Sequence, residues 1–85
     1  MRRYHFHAVG QDGAAVFDLS GRWLSSLHEM RCHADRVAFA LTGVPDADWS
    51  AWVMDVRDTA GRSVLLRAFT DVPAMNRARL RDRLR

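Results

Sequence analysis

The chain of 85 residues contains no lysine: all 13 basic side chains are arginines, and we attach no mechanism to that absence. It has a single cysteine, Cys32, so no disulfide can close within the chain, which fits a reducing compartment. No apolar run approaches the ~18 residues of a membrane-spanning helix. The opening residues, two arginines followed by an alternating pattern, lack the apolar stretch of a signal peptide. Prolines number only two, Pro45 and Pro73, and both read as boundaries. Together these absences lead us to expect a soluble, cytoplasmic protein.

What is present suffices for one small domain. Hydrophobic residues make up 48% of the chain, too many for a disordered segment. A chain of this size buries only somewhat more than ~60% of its unfolded surface. Its stability is therefore expected near the low end of ~5–15 kcal/mol. Charge is unevenly placed. Residues 73–85 carry Arg77, Arg79, Arg81, Arg83 and Arg85 against Asp82, a net +4, whereas the preceding 72 residues sum to −1. The basic character belongs to the tail, not to the domain at 1–72.

The pattern "RRYHFHAV" alternates, with Tyr4, Phe6 and Ala8 on one side and Arg3, His5, His7 and Val9 on the other. "GQDG" marks a turn, and "AAVFDL" reads as a second, antiparallel strand. Ser26 followed by Glu29 is a capping box, which predicts a helix from Leu27. Its apolar stripe would be Leu27, Met30, Ala34, Val37, Ala38 and Leu41, ended by Gly43 as a left-handed cap and by Pro45. "WSAWVMDVRD" predicts a third strand with Trp52, Met54 and Val56 inward; "DTAG" reads as a hairpin turn made by Asp58 and Gly61. In the fourth strand, "RSVLLRAF", we expect Val64, Leu66 and Ala68 inward and Leu65, Arg67 and Phe69 outward. The resulting fold class is α+β, a two-layer ββαββ arrangement. One helix covers one face of a four-stranded antiparallel sheet, followed by the arginine-rich tail, which has some helical character at Leu80 and Leu84.

This pattern resembles a family of small bacterial proteins built on a domain of unknown function. The resemblance rests on the opening R-Y-x-F-H (Arg3 to His7), on Asp18-Leu-Ser-Gly21 before a capped helix, and on a tryptophan strand running into V-x-D-x-x-G-R (Val56, Asp58, Gly61, Arg62). It covers roughly residues 3–71. It departs from the family at His5, where an aromatic is commoner, and in the tail. The resemblance implies a shape and a bacterial origin but no activity, and it transfers no catalytic residue.

Little in the residues points to chemistry. His5 and His7 share a face with Asp55, but Arg57 and Arg67 on that face would repel a dication, so we expect no metal site and no cofactor. His28 and Cys32 lie one helical turn apart, with Asp35 and Phe39 completing a second stripe; no oxyanion loop accompanies a possible thiolate–imidazole pair there. Trp52 is expected in the core, with Trp23 and Trp49 as lids over it. No acid–base pair, phosphate loop or triad spacing is visible, so a non-enzymatic module is expected. Its candidate interface is the open sheet face at His5, His7, Val53, Asp55, Leu65, Arg67 and Phe69, flanked by Val9, and its expected partner is a second copy, giving a homodimer. The alternative is nucleic acid held by the five arginines of the tail.

Overall fold

The structure, a computed structural model, describes residues 1–43 and 48–72. Pro45 and the whole arginine tail, with Arg77, Arg79, Arg81, Arg83 and Arg85, lie outside the described residues. The first strand, β1 (Arg2–Val9), follows its alternation: Phe6 and Ala8 are buried and Tyr4 packs against them, while His5, His7 and Val9 turn to the other side. A 3-10 turn (Gln11–Gly13) leads back to β2 (Ala15–Val16), which pairs antiparallel with Ala8 and Val9. β3 (Arg22–Leu24) then pairs with the start of the same strand, from Arg2 to Tyr4. The predicted second strand, residues 14–19, is thus only Ala15–Val16, and β3, which lies beyond it, was not predicted.

Helix α1 (Leu27–Leu41) begins where the capping signal placed it, with the Ser26 side chain accepting the Glu29 amide at 3.1 Å. The Glu29 carboxylate bonds the Ser25 hydroxyl at 2.7 Å rather than closing the box on Ser26. Met30, Ala34 and Ala38 are buried, but Leu27, expected on the same stripe, is exposed. Gly43 is not a left-handed cap. The helix ends through Thr42 at φ −69°, with its hydroxyl donating to the Phe39 carbonyl, and Gly43 is not among the positive-φ glycines.

β4 (Val53–Asp58) runs antiparallel beside β1 and puts Met54 and Val56 against the helix. β5 (Ser63–Ala68) pairs antiparallel with β4. The architecture is α+β, with one helix on one face of an antiparallel sheet of five strands. Their order is β2-β1-β4-β5, and β3 joins β1 on the edge that β2 also occupies.

In β5 the expected parity is inverted. A register shift at Val56 and Arg57 rotates the strand, so that Leu65 packs on the core and Leu66 faces out, 67% exposed. Arg67, expected on the open face, lies on the helix side and pairs with Asp35, Nε to Oδ1 at 2.5 Å. Phe69 does not continue the strand. The chain turns into a 3-10 helix (Phe69–Asp71) whose first amide bonds the Trp52 carbonyl at 3.0 Å. The Phe69 ring is fully buried and stacks on Trp49 at 5.7 Å. Leu65 and Phe69 therefore pack on the core of the monomer and do not stand on the open face. Trp52 sits against the core as expected, Trp49 lids it, and Trp23 does not, being 61% exposed.

Candidate functional site

The face of the sheet away from the helix carries His5 and His7 on β1 and, across from them, Arg57 and Asp55 on β4. Their rings stack at 6.1 Å, as successive same-face side chains on a strand must. Asp55 accepts from the Ser63 hydroxyl at 2.7 Å and from Arg57 Nε at 2.9 Å. Partial burial would raise its carboxyl, but these two donors, with the charges of Arg57 and His7, bring it below the usual range. Asp55 is thus a satisfied structural acid. Val53 lies half-buried on the same face, opposite Ala68.

At the outer edge of β1, beside this face, stands Asp18, in the segment between β2 and β3. One carboxylate oxygen accepts the Phe6 amide at 3.0 Å. The other accepts the amides of Ser20 at 3.2 Å and Gly21 at 3.0 Å, and the Ser20 hydroxyl at 3.3 Å. Burial opposes ionisation of this group, yet the amides of Gly21, Phe6 and Ser20 hold its carboxyl below the ordinary value. The side chain supplies β1 with the acceptor that the interrupted edge strand does not. Backbone atoms of Asp18 complete the contact: its amide donates to His7 Nδ1 at 3.0 Å, and its carbonyl lies 3.0 Å from His5 Nδ1. An amide needs an unprotonated acceptor and a carbonyl needs a donor, so His7 Nδ1 carries a lone pair and His5 Nδ1 a proton. Arg3 braces the same segment, with Nε donating to the Ser20 carbonyl at 2.8 Å.

The open face therefore brings His5, His7, Val53 and Asp55 together and leaves out Leu65, Arg67 and Phe69. Reading the residues alone missed Asp18 as the organising group. The signal was there: Asp18-x-x-Gly21 repeats as Asp58-x-x-Gly61. Both histidines spend Nδ1 on the Asp18 backbone, and among the described residues no group of three or more His, Cys, Asp or Glu could hold a metal ion.

Two other places deserve chemical description. On α1, Cys32 Sγ lies 3.6 Å from His28 Nε2, both exposed, in a groove of about 260 Å³ that Arg22, Leu24 and Arg36 also line. His33 beside them packs edge-on against Phe6 at 4.6 Å, and its Nδ1 finds no hydrogen-bond partner among the described residues. Burial, with the charges of Arg22 and Arg36, outweighs the opposing pull of Asp18 and holds the His33 ring toward its neutral form. At the end of the sheet, Trp23, Arg2, Arg3, Asp58 and Thr59 surround a cavity of about 490 Å³. Among the described residues no helix is long and apolar enough to cross a membrane.

The family model described as Domain of unknown function (DUF6894) matches residues 3–70. The chain belongs to this family, as its opening R-Y-x-F-H, Asp18-Leu-Ser-Gly21 and V-x-D-x-x-G-R led us to expect. No curated protein and no solved structure matches it.

Proposed function

We propose that this member of the DUF6894 family is a binding module rather than an enzyme, and that it self-associates by pairing β5 with β5 of a second copy. The supporting observation is the unlike state of the two sheet edges. On the outer edge of β1, two short strands and the Asp18 carboxylate take up the backbone. Beside β5 no further strand lies among the described residues, and Val64 and Leu66 stand 42% and 67% exposed on it. Natural edge strands are protected by lysine, proline or inward charges. β5 has neither lysine nor proline, and its one inward charge, Arg67, is neutralised by Asp35.

A two-fold axis through Leu66, normal to the sheet, sets Leu66 against its own copy on the open face. On the helix face it sets Arg67 against Leu65 of the second copy, so no arginine opposes an arginine. Covering Leu66 and Val64 contributes about 1.5–3 kcal/mol for each side chain fully buried, counted twice in a symmetric pair. Backbone hydrogen bonds add to this against an association cost of ~4–15 kcal/mol. Light scattering tests the reading. The wild type should be a dimer at high micromolar concentration and Leu66→Lys a monomer with unchanged circular dichroism, since Leu66 is outside the core. A wild type that stays monomeric at that concentration overturns it.

A second reading is favoured by one observation, the exposed Trp23 beside Arg2 and Arg3 in the end cavity. A base stacked on such a ring is worth about 1–3 kcal/mol, and the arginines suit phosphate. Single-stranded DNA should then be retarded at low salt, less so at high salt, and less by Trp23→Ala. Equal retardation by that variant excludes the cavity.

A further inference from the structure

The geometry points to a pH-operated latch on the open face: protonation of His7 at Nδ1 breaks its bond from the Asp18 amide and loosens the segment 17–21, which the Asp18 carboxylate, His5 and Arg3 still hold on β1. The chemistry is in the two tautomers. His5 gains a proton at Nε2 and keeps its Nδ1–H bonded to the Asp18 carbonyl, 3.0 Å away. His7 can gain one only at Nδ1, the atom that accepts the Asp18 amide at 3.0 Å. Two donors then face each other. The histidines are alike in sequence and in face, but only His7 transmits its charge to the segment.

The groups around His7 allow it to charge. Asp55 stands opposite it on β4, and the Asp18 carboxylate is held in the segment itself. Arg57, the cation nearest that pair, is tied to Asp55 at 2.9 Å. The other neighbours are the His5 ring at 6.1 Å and the edge of Phe17 at 5.5 Å. From β2, Ala15 and Val16 bring no charge, and on β5 the residue in line behind Asp55 is Leu66. The Asp18 amide, being a donor, can make no bond to a protonated Nδ1. Asp55 is the anion toward which the charged ring is drawn once it lets go.

The segment is poised for this. It holds β1 through Asp18 and Arg3, not through a strand ladder, and Phe17 and Leu19 on it are exposed, so little apolar burial resists opening.

NMR of the full chain tests the inference. The Asp18 amide and the His7 ring nitrogens are followed from about pH 8 to about pH 5, an interval that spans ordinary imidazole titration near 6.5. Exchange of the Asp18 amide, corrected for its intrinsic pH dependence, should rise about tenfold with the midpoint of His7, as the loss of one such hydrogen bond requires. The Val56 amide, in the core ladder, should not follow it. His7→Asn puts an amide oxygen where Nδ1 stands and cannot protonate, so its Asp18 amide should stay equally protected across the range. Protection that is unchanged through the His7 titration overturns the latch, as does the same loss in His7→Asn. The wild-type titration decides alone should that variant not fold.

Discussion

Two turns share the pattern Asp-x-x-Gly, at residues 18–21 and 58–61, and their local chemistry is nearly the same. In each, one carboxylate oxygen accepts the amide two residues on, that of Ser20 at 3.2 Å and that of Ala60 at 2.9 Å. In each, the glycine takes a positive φ, 74° at Gly21 and 81° at Gly61. The second oxygen separates them. At Asp58 it finds no hydrogen-bond partner in the described structure, and the turn simply joins β4 to β5, with Oδ1 also accepting the Arg62 amide at 3.0 Å. At Asp18 it reaches across to the Phe6 amide and closes a gap in the edge of the sheet. The same short signal makes a hairpin in one place and a tertiary clasp in the other. What differs is whether an unpaired backbone donor lies opposite.

Three pairs of substitutions would break or sharpen this contrast, each measured by urea unfolding. The largest difference is expected on removing the carboxylates. Asp18→Ala leaves the Phe6 amide unsatisfied as well as the local amides, and should cost about 2–4 kcal/mol, against about 1 kcal/mol for Asp58→Ala. Equal costs would mean that water replaces the bond to Phe6 and that Asp18 is only a turn residue.

The glycines come next. Both positions impose the left-handed penalty of about 1–2 kcal/mol on alanine. At Gly21 an added Cβ would also stand 3.0 Å from the Tyr4 carbonyl, a backbone atom with little freedom to move, whereas at Gly61 it would meet nothing within 4 Å. Gly21→Ala should therefore cost about 2–3 kcal/mol and Gly61→Ala no more than about 1–2 kcal/mol. A reversed order would refute the close approach of this segment to β1.

The smallest and sharpest test uses asparagine. Its oxygen can keep the local amides at either turn, but its NH2 would confront the Phe6 amide at Asp18. Asp18→Asn should cost about 1–2 kcal/mol, and Asp58→Asn no more than about 0.5 kcal/mol. The pH dependence follows with a definite sign. Folding holds the Asp18 carboxyl below its ordinary value of 3.8. Such a group contributes stability that is fully present above that value and is lost as pH falls through the folded one. The wild type should thus lose stability more steeply than Asp18→Asn below about pH 3.8. Parallel acid limbs would place the acid sensitivity elsewhere, with Asp55 the next group of the same sign.

Particular residues show where reading the chain succeeded. The period-two pattern from Tyr4 to Val9 assigned both faces of β1 correctly, and Ser26 with Glu29 located the start of α1. The role of Asp58 as a turn-maker was also legible, because its partners lie within four residues. Three features were not. β3 is only three residues, Arg22 to Leu24, too short to show a period. The facing of β5 turned on a register shift, and three successive apolar residues, Val64 to Leu66, left the alternation without a phase. Phe69 looked like the end of a strand and is instead the centre of an aromatic cluster with Trp49 and Trp52, because the chain turns at Ala68.

By itself the sequence determined what depends on neighbours: the periods of β1 and α1, the helix N-cap, the turn at Asp58 and Gly61, the fold class and the family. Only the tertiary structure decided which edge of the sheet is clasped and which has no further strand among the described residues. It also decided which of two like histidines meets the Asp18 amide and which the Asp18 carbonyl, and that Arg67 faces Asp35 and not the open face. The physical reason is one of range. Periods and caps are set by atoms a few residues apart, whereas the partner of a spare carboxylate oxygen or a guanidinium is fixed by the packing of segments 12 and 32 residues away in the chain.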